Sequence, residues 1–272
     1  MMQETIITPH KSWKELFSEL WEYREIFLFL GWRDILVHYK QTVIGVAWVI
    51  LRPLLTVAIF TVIFSRIAGI TSSVAPYPLI IFSGMLIWQF FVEMLTYGSN
   101  SYLVSGALVT KVYVPRMFLP ASRLFCVLIN FFIAFTFFLS LAIIRYRVFP
   151  LITTLLIPFV VMWLSFFSFS MALLFGALTV KYRDFAHIVS FLTQLGLYCT
   201  PIGFSLSMVP KKILFILALN PLTGIINMFR WMLLGEPIKM PVILISFLIT
   251  IFLSCLSFVY FKHAQENFAD VL

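Results

Sequence analysis

Apolar residues in this chain come in long blocks separated by polar intervals, a long one at Gly98–Arg116 that is too polar to cross among them, and the blocks define the predicted elements. Val43–Ile67 is the first, with Arg52 its one charge before Arg66. Pro78–Tyr97 is the second and carries Trp88, Gln89 and a single acid, Glu93. Met117–Ile144, Leu151–Val180, Ile188–Phe204 and Val242–Phe261 complete the series. About 20 apolar residues in a helix cross a hydrocarbon core of roughly 30 Å, so each block is predicted to be a transmembrane helix. Ile213–Leu234 is also long enough, but Asn220 and Pro221 interrupt it, and Asn227 and Arg230 lie in its second half. It is predicted as two half-helices dipping into the outer leaflet, sheltered by protein. In the fourth block, Ser165, Ser168, Ala172 and Gly176 form a small-residue stripe that lets another helix approach closely.

The expected architecture is therefore an all-α polytopic membrane protein. It has six transmembrane helices, an N-terminal amphipathic interfacial helix and re-entrant half-helices before the last span. Residues 1–40 form the amphipathic segment, 41–261 the six-span domain with a re-entrant region at about 207–237, and 262–272 a tail. Ser12 followed by Glu15 is a capping-box pattern. Trp13, Leu16, Phe17, Leu20 and Trp21 then recur at helical spacing opposite Lys14, Glu15, Glu22 and Glu25. Such a helix lies along a membrane surface, although packing on a soluble partner gives the same pattern. No cleavable signal is expected, since the only apolar run before Trp32 is Ile26–Leu30.

The first span carries the main chemical signal. Gln41, Gly45, Trp48, Arg52 and Thr56 fall along one stripe of a 3.6-residue helix, while its other faces are Val, Ile, Leu and Phe. A charge near the middle of a span costs on the order of 3 kcal/mol, so Arg52 should face protein or a watery lumen rather than lipid. One account makes the stripe the lining of a hydrophilic conduit. The other pairs Arg52 with a carboxylate such as Glu93, or with helix-end carbonyls. Pro53 removes a backbone donor at the same level.

Composition and charge narrow the class. The chain is 62% hydrophobic and 11% charged, a balance that water-soluble domains of this size do not have. Its net charge of +8 does not point to nucleic acid, because the basic residues are scattered between apolar blocks rather than gathered on one face. An even number of spans puts both termini on one side. Lys11, Lys14, Arg24, Arg33, Lys40, Lys111, Arg116, Lys181, Arg183 and Lys262 lie on that side, against Arg66, Arg145, Arg147, Lys211, Lys212, Arg230 and Lys239 on the other. Termini in the cytoplasm follow from the positive-inside bias. Cys126, Cys199 and Cys255 all sit inside apolar runs, which suggests neither a disulfide framework nor a metal site.

No phosphate-binding loop ending in Gly-Lys-Ser/Thr, no His-Glu-x-x-His and no Gly-x-Ser-x-Gly is present. A membrane glycosyltransferase would need converging carboxylates or a metal site. An ion-coupled carrier would need intramembrane acids, and Glu93 is the only acid well inside a span. An energy source on another chain is expected, and ATP dependence of glycolipid translocation would separate an exporter from both alternatives.

Several runs carry a family resemblance: RDILVHYKQTVIGVAWVILRPLLTVAIFTVIFSRIAGI, PYPLIIFSGMLIWQFF, SNSYLVSGALVTKVYVPRMFLP, VKYRDF and LALNPLTGIINMFRW. In order and spacing, from Arg33 to about Gly235, they resemble the permease subunit of type-2 ABC exporters that move lipid-linked polysaccharides, most closely the O-antigen branch. Teichoic acid and capsule exporters are near relatives. One departure is CTPIGFS at Cys199–Ser205, where the family pattern has Ser-Pro followed by Tyr-Pro; it touches the outer gate and leaves the class intact.

The resemblance implies a homodimer of permeases in the bacterial inner membrane, joined by a cytoplasmic ABC ATPase dimer. The cargo would be an undecaprenyl-diphosphate-linked glycan. This chain would hold no cofactor and no metal of its own, ATP and Mg residing on the ATPase. On that reading the Gln41–Thr56 stripe lines the conduit, and Arg33, Lys40 and Arg52 attract the lipid diphosphate. Lys111, Arg116, Tyr182, Arg183 and Asp184, on the polar segments that share a side with the N-terminus, would dock the ATPase. The plainer alternative has Arg183 and Asp184 cap adjoining helices, with Arg33 and Lys40 serving as topology determinants.

Overall fold

The structure, a computed structural model, describes residues 21–40, 47–63, 69, 75–104, 114–148, 152–265 and 268. Every regular element among them is helical. In chain order these are α1 (Arg24–Lys40), α2 (Ala47–Phe60), α3 (Tyr77–Val104), α4 (Phe118–Tyr146), α5 (Ile157–Lys181), α6 (Phe185–Cys199), α7 (Lys211–Ala218), α8 (Pro221–Leu234) and α9 (Met240–Ala264). A 3-10 turn at Ile152–Leu156 leads into α5.

Among the described residues four helices are long and apolar enough to cross a membrane: α3, α4, α5 with its 3-10 lead, and α9. Two shorter apolar helices, α2 continued to Ile63 and α6, occupy the places predicted for the first and fifth spans. Helices α7 and α8 meet at a 109° bend; counted as one broken crossing, the pair raises the long spans to five. The bend has a local cause. Asn220 caps α8, its Oδ1 accepting from the Leu222 N–H at 3.0 Å, and Pro221 occupies the first helical position, where a missing donor costs nothing. At the other end of α8, Gly235 stops the helix at φ 71°, its N–H returning to the Trp231 carbonyl.

Helix α3 is the axis of the bundle. It packs on α5, α4, α2, α6 and α8, and most of its length is buried. Lipid tails are as apolar as leucine, so helices associate here by close packing, and small residues set how close. A Cβ on Gly98 would come within 2.7 Å of the Ala172 Cβ, and one on Gly176 within 2.6 Å of the Tyr102 ring. The predicted stripe on α5 therefore faces α3, with Ser168 and Ala172 fully buried and Ser165 half-buried. On α9, Ser246, Thr250, Ser254 and Ser257 form a second buried stripe that meets α5 and α8.

Two boundaries differ from expectation. Helix α3 continues to Val104, into an interval expected to be a polar connector, because Gly98, Ser99, Ser101 and Tyr102 pack inside the bundle. Helix α6 ends at Cys199, short of Phe204, and the following turn spends its carbonyls on Arg230 instead of on a helix. The expected amphipathic residues of 1–20 lie outside the described residues. Helix α1 buries Leu30, Gly31 and Asp34 against α4 and leaves Leu28, Phe29, Trp32 and Val37 exposed.

Candidate functional site

Charged groups within an apolar bundle are costly unless each has partners, so the buried ones show where the structure commits polar bonds. Among the described residues three clusters hold them. At the end remote from α1, Arg230 is 1% exposed. Its guanidinium donates to the carbonyls of Ile80 (2.9 Å), Ile202 (2.7 Å) and Phe204 (2.9 Å) and to the Ser83 hydroxyl (3.2 Å). Glu236 lies 3.9 Å away, itself buried and accepting from the Ser205 hydroxyl. Tyr77 donates to the Gly203 carbonyl, and Asn220 donates to Thr200 at 3.0 Å. The Thr200–Ser205 turn is thus stitched to both α3 and α8, and it coincides with the stretch that departs from the family pattern.

At the α1 end, Asp34 is 2% exposed. Its carboxylate accepts from Arg33 at 2.8 Å and from Ser122 at 2.7 Å, and pairs with Arg123 at 3.3 Å. Gly31 sits beneath the Phe125 ring, where a Cβ would approach to 2.4 Å. Helix α1 is therefore clamped to the start of α4. Burial, with Arg123 nearby, lowers the His38 pKa from its ordinary value.

The third cluster lies inside the bundle, sixteen residues into α3, about 24 Å from Tyr77 at 1.5 Å per residue. The Asn130 amide of α4 donates to Glu93 at 2.8 Å, and Gln89 bonds the same carboxylate from one turn away. Tyr39 of α1 donates to the Asn130 carbonyl oxygen. Gln89, Glu93 and Asn130 line a cavity of about 20 Å³ with Val49 and Pro53 of α2, room for one water among polar partners. Arg52, between those two α2 residues, interacts electrostatically with Glu93 but makes no direct ion pair among the described residues.

Of the residues predicted to line a conduit, Gln41 and Gly45 lie outside the described residues. Trp48 (54% exposed) and Arg52 are both on the open flank of α2, while half-buried Thr56 donates to the Arg52 carbonyl at 3.1 Å. Arg33 and Lys40 line one groove on α1 with Phe29 and Trp32, and Arg33 is at the same time held by Asp34. Of the predicted docking residues, Lys111 lies outside the described residues. Arg116 stands over the Phe268 ring at 5.5 Å. Tyr182, Arg183 and Asp184 form the exposed α5–α6 turn, and the Asp184 side chain makes no capping bond. The sequence reading passed over Asp34, Ser122, Arg123 and Asn130; an acid in the middle of α1, a cation near the start of the third apolar block and a lone amide within that block were the available signals. Among the described residues, no three His, Cys, Asp or Glu side chains gather as metal ligands would.

An all-helical bundle with several membrane-length apolar helices and polar clusters buried between them is a multi-pass membrane protein. The chain belongs to the ABC-2 type transporter family, whose model matches residues 25–234. It is similar to the O-antigen export system permease protein RfbA of Klebsiella pneumoniae, at 26% identity over 88% of this chain and 92% of the relative. It is also similar to the protein of that name from Myxococcus xanthus, at 28% identity over 79% and 82%. It is thus a transporter subunit of the permease kind.

Proposed function

We propose that this chain is the transmembrane subunit of an ATP-driven exporter that passes an undecaprenyl-diphosphate-linked polysaccharide of the O-antigen class across the bacterial inner membrane. It acts as a dimer with a second copy of itself, joined to a cytoplasmic ATPase dimer that binds ATP and magnesium. Helices α2, α3, α4, α5, α6 and α9 are the six crossings, α7 and α8 a re-entrant pair on the outer side, and both termini are cytoplasmic.

The exposure of Arg52 and Trp48 on the flank of α2 is the observation that carries the reading. Among the described residues the other charges deep in the bundle are packed among partners, whereas Arg52 is exposed on an apolar helix. Left against lipid it would cost on the order of 3 kcal/mol. A second copy facing this flank removes that cost by enclosing a wet conduit. There Trp48 offers a ring face to sugars, and Arg52 binds diphosphate oxygens through paired, charge-assisted hydrogen bonds. The groove holding Arg33 and Lys40 is the entrance at the cytoplasmic mouth. The names of the relatives favour O-antigen, while teichoic acid or capsular glycans on the same lipid diphosphate share this chemistry.

Arg52→Gln tests the reading in the purified, ATPase-bound complex. It keeps hydrogen bonding and removes charge. Bonds to charged groups are worth roughly 1.5–3 kcal/mol, so export and substrate-stimulated hydrolysis should fall on the order of tenfold or more with assembly intact. Normal assembly with native export would remove Arg52 from the transport path.

A further inference from the structure

Glu93 is an acid inside a membrane-spanning helix that the proposed export path does not itself use. Three side chains hold its carboxylate or its holder: Asn130 at 2.8 Å, Gln89 one turn earlier, and Tyr39 through Asn130. Those contacts come from three helices, so the carboxylate has little freedom to turn elsewhere. None of the three carries a charge, and none neutralises it. The small cavity beside it opens between α3, α4 and α2, where Val49 and Pro53 flank Arg52 in sequence. Among the described residues Arg52 is the cation within electrostatic reach of Glu93, and it is exposed on the same turn of α2 as the two cavity-lining residues. A fixed carboxylate beside α2 and an exposed guanidinium on it, without a closed ion pair between them, leave the cation only partly balanced.

We infer that Glu93 is a positioning residue that balances Arg52 in the empty conduit, so that a doubly charged diphosphate engages the guanidinium while singly charged anions pass poorly. This rests on the reading of Arg52 as conduit-lining. A lone Arg in a water-filled lumen concentrates small anions, and with two copies the field doubles. A carboxylate held close behind each Arg lowers that field for a monovalent ion. A diphosphate competes through its larger charge and its paired oxygens, geometry that chloride lacks. Asn130 and Gln89 matter because they hold the carboxylate in place without neutralising it.

The test is chloride leak through the ATPase-bound complex in proteoliposomes, measured without glycolipid, beside export of the native glycolipid. Glu93→Gln retains an oxygen to accept from Asn130 and removes the charge. Its leak should rise on the order of tenfold, as expected when one unit of fixed charge goes unbalanced in a low-dielectric wall. Arg52→Gln/Glu93→Gln should return the leak to the native level. Glu93→Asp, which keeps charge with a shorter reach, should fall between. A native leak in Glu93→Gln overturns the inference, and so does an elevated leak that Arg52→Gln does not reverse. If Glu93→Gln fails to assemble and Arg52→Gln does not restore assembly, Glu93 is structural and the inference is equally overturned. These outcomes are separate from the export result for Arg52→Gln alone, which decides whether Arg52 belongs to the conduit.

Discussion

Arg230 puts most of its guanidinium donors into the backbone of two segments distant in sequence: Ile80 of α3, and Ile202 and Phe204 of the turn before α7. Glu236, at 3.9 Å, is a secondary partner. The two substitutions therefore differ in cost. Arg230→Met leaves three carbonyls and a buried carboxylate without their donor; removing one partner from a buried pair costs about 3–5 kcal/mol. Glu236→Gln leaves the carbonyl bonds in place and should cost less than about 1.5 kcal/mol. Thermal unfolding of the detergent-solubilised protein should therefore rank Glu236→Gln well above Arg230→Met. Equal loss in the two would mean that the ion pair, rather than the carbonyl cradle, holds α8 in place. Arg230 stood out in the sequence as a charge in an apolar stretch. Its partners did not, because a carbonyl has no identity in a sequence and the nearest one used is 26 positions away. Asp34 was less legible still, since its Ser122 partner is 88 residues distant and belongs to a separate apolar block.

Helices α3 and α5 show what local pattern does reveal. The small-residue stripe on α5 was visible as spacing alone, and it lies where α3 passes closest. What spacing did not show was the matching Gly98 on α3, which falls where the polar connector was expected to start. The length of α3 was misread because Ser99 and Ser101 look polar in a sequence, yet Ser101 bonds back to the Gly98 carbonyl at 2.6 Å and so hides its hydroxyl within its own helix. Gly176 is the point of least tolerance. A methyl there would stand 2.6 Å from the Tyr102 ring, which is wholly buried and has no room to retreat. Gly176→Ala should destabilise by about 1–3 kcal/mol through overpacking, whereas Ser165→Ala, at the half-buried start of the same stripe, should change stability by less than about 1 kcal/mol. Guanidinium-free thermal melts of the two variants check the contrast, and a Gly176→Ala melt matching Ser165→Ala would show that α3 and α5 have slack at this level.

Across the whole molecule, segments far apart in sequence converge at the α1 end. Phe268 packs on Tyr102 from the end of α3 and beneath Arg116 from just before α4. It also lines a cavity of about 240 Å³ with Lys181 of α5 and Tyr260 and His263 of α9. The α5–α6 turn stands beside this convergence, with Tyr182, Arg183 and Asp184 all exposed and Lys181 stacked over the Tyr182 ring at 5.2 Å. Under the proposed function, an ATPase bound here would push at once on α3, α5, α6 and α9, as coupling ATP hydrolysis to export would require. Arg183→Glu/Asp184→Lys reverses both charges and leaves the net charge unchanged, so long-range attraction to the membrane surface is preserved. Asp184 makes no capping bond, and the turn is closed by backbone bonds such as Phe185 N–H to the Tyr182 carbonyl at 3.1 Å, so the fold should survive. The expected result is a complex that assembles, melts within about 0.5 kcal/mol of native stability and still hydrolyses ATP, but exports on the order of tenfold less glycolipid. If these residues serve only as helix caps and headgroup anchors, the melt should fall while export per assembled complex stays native. That pattern would rule the α5–α6 turn out as the contact of the proposed ATPase.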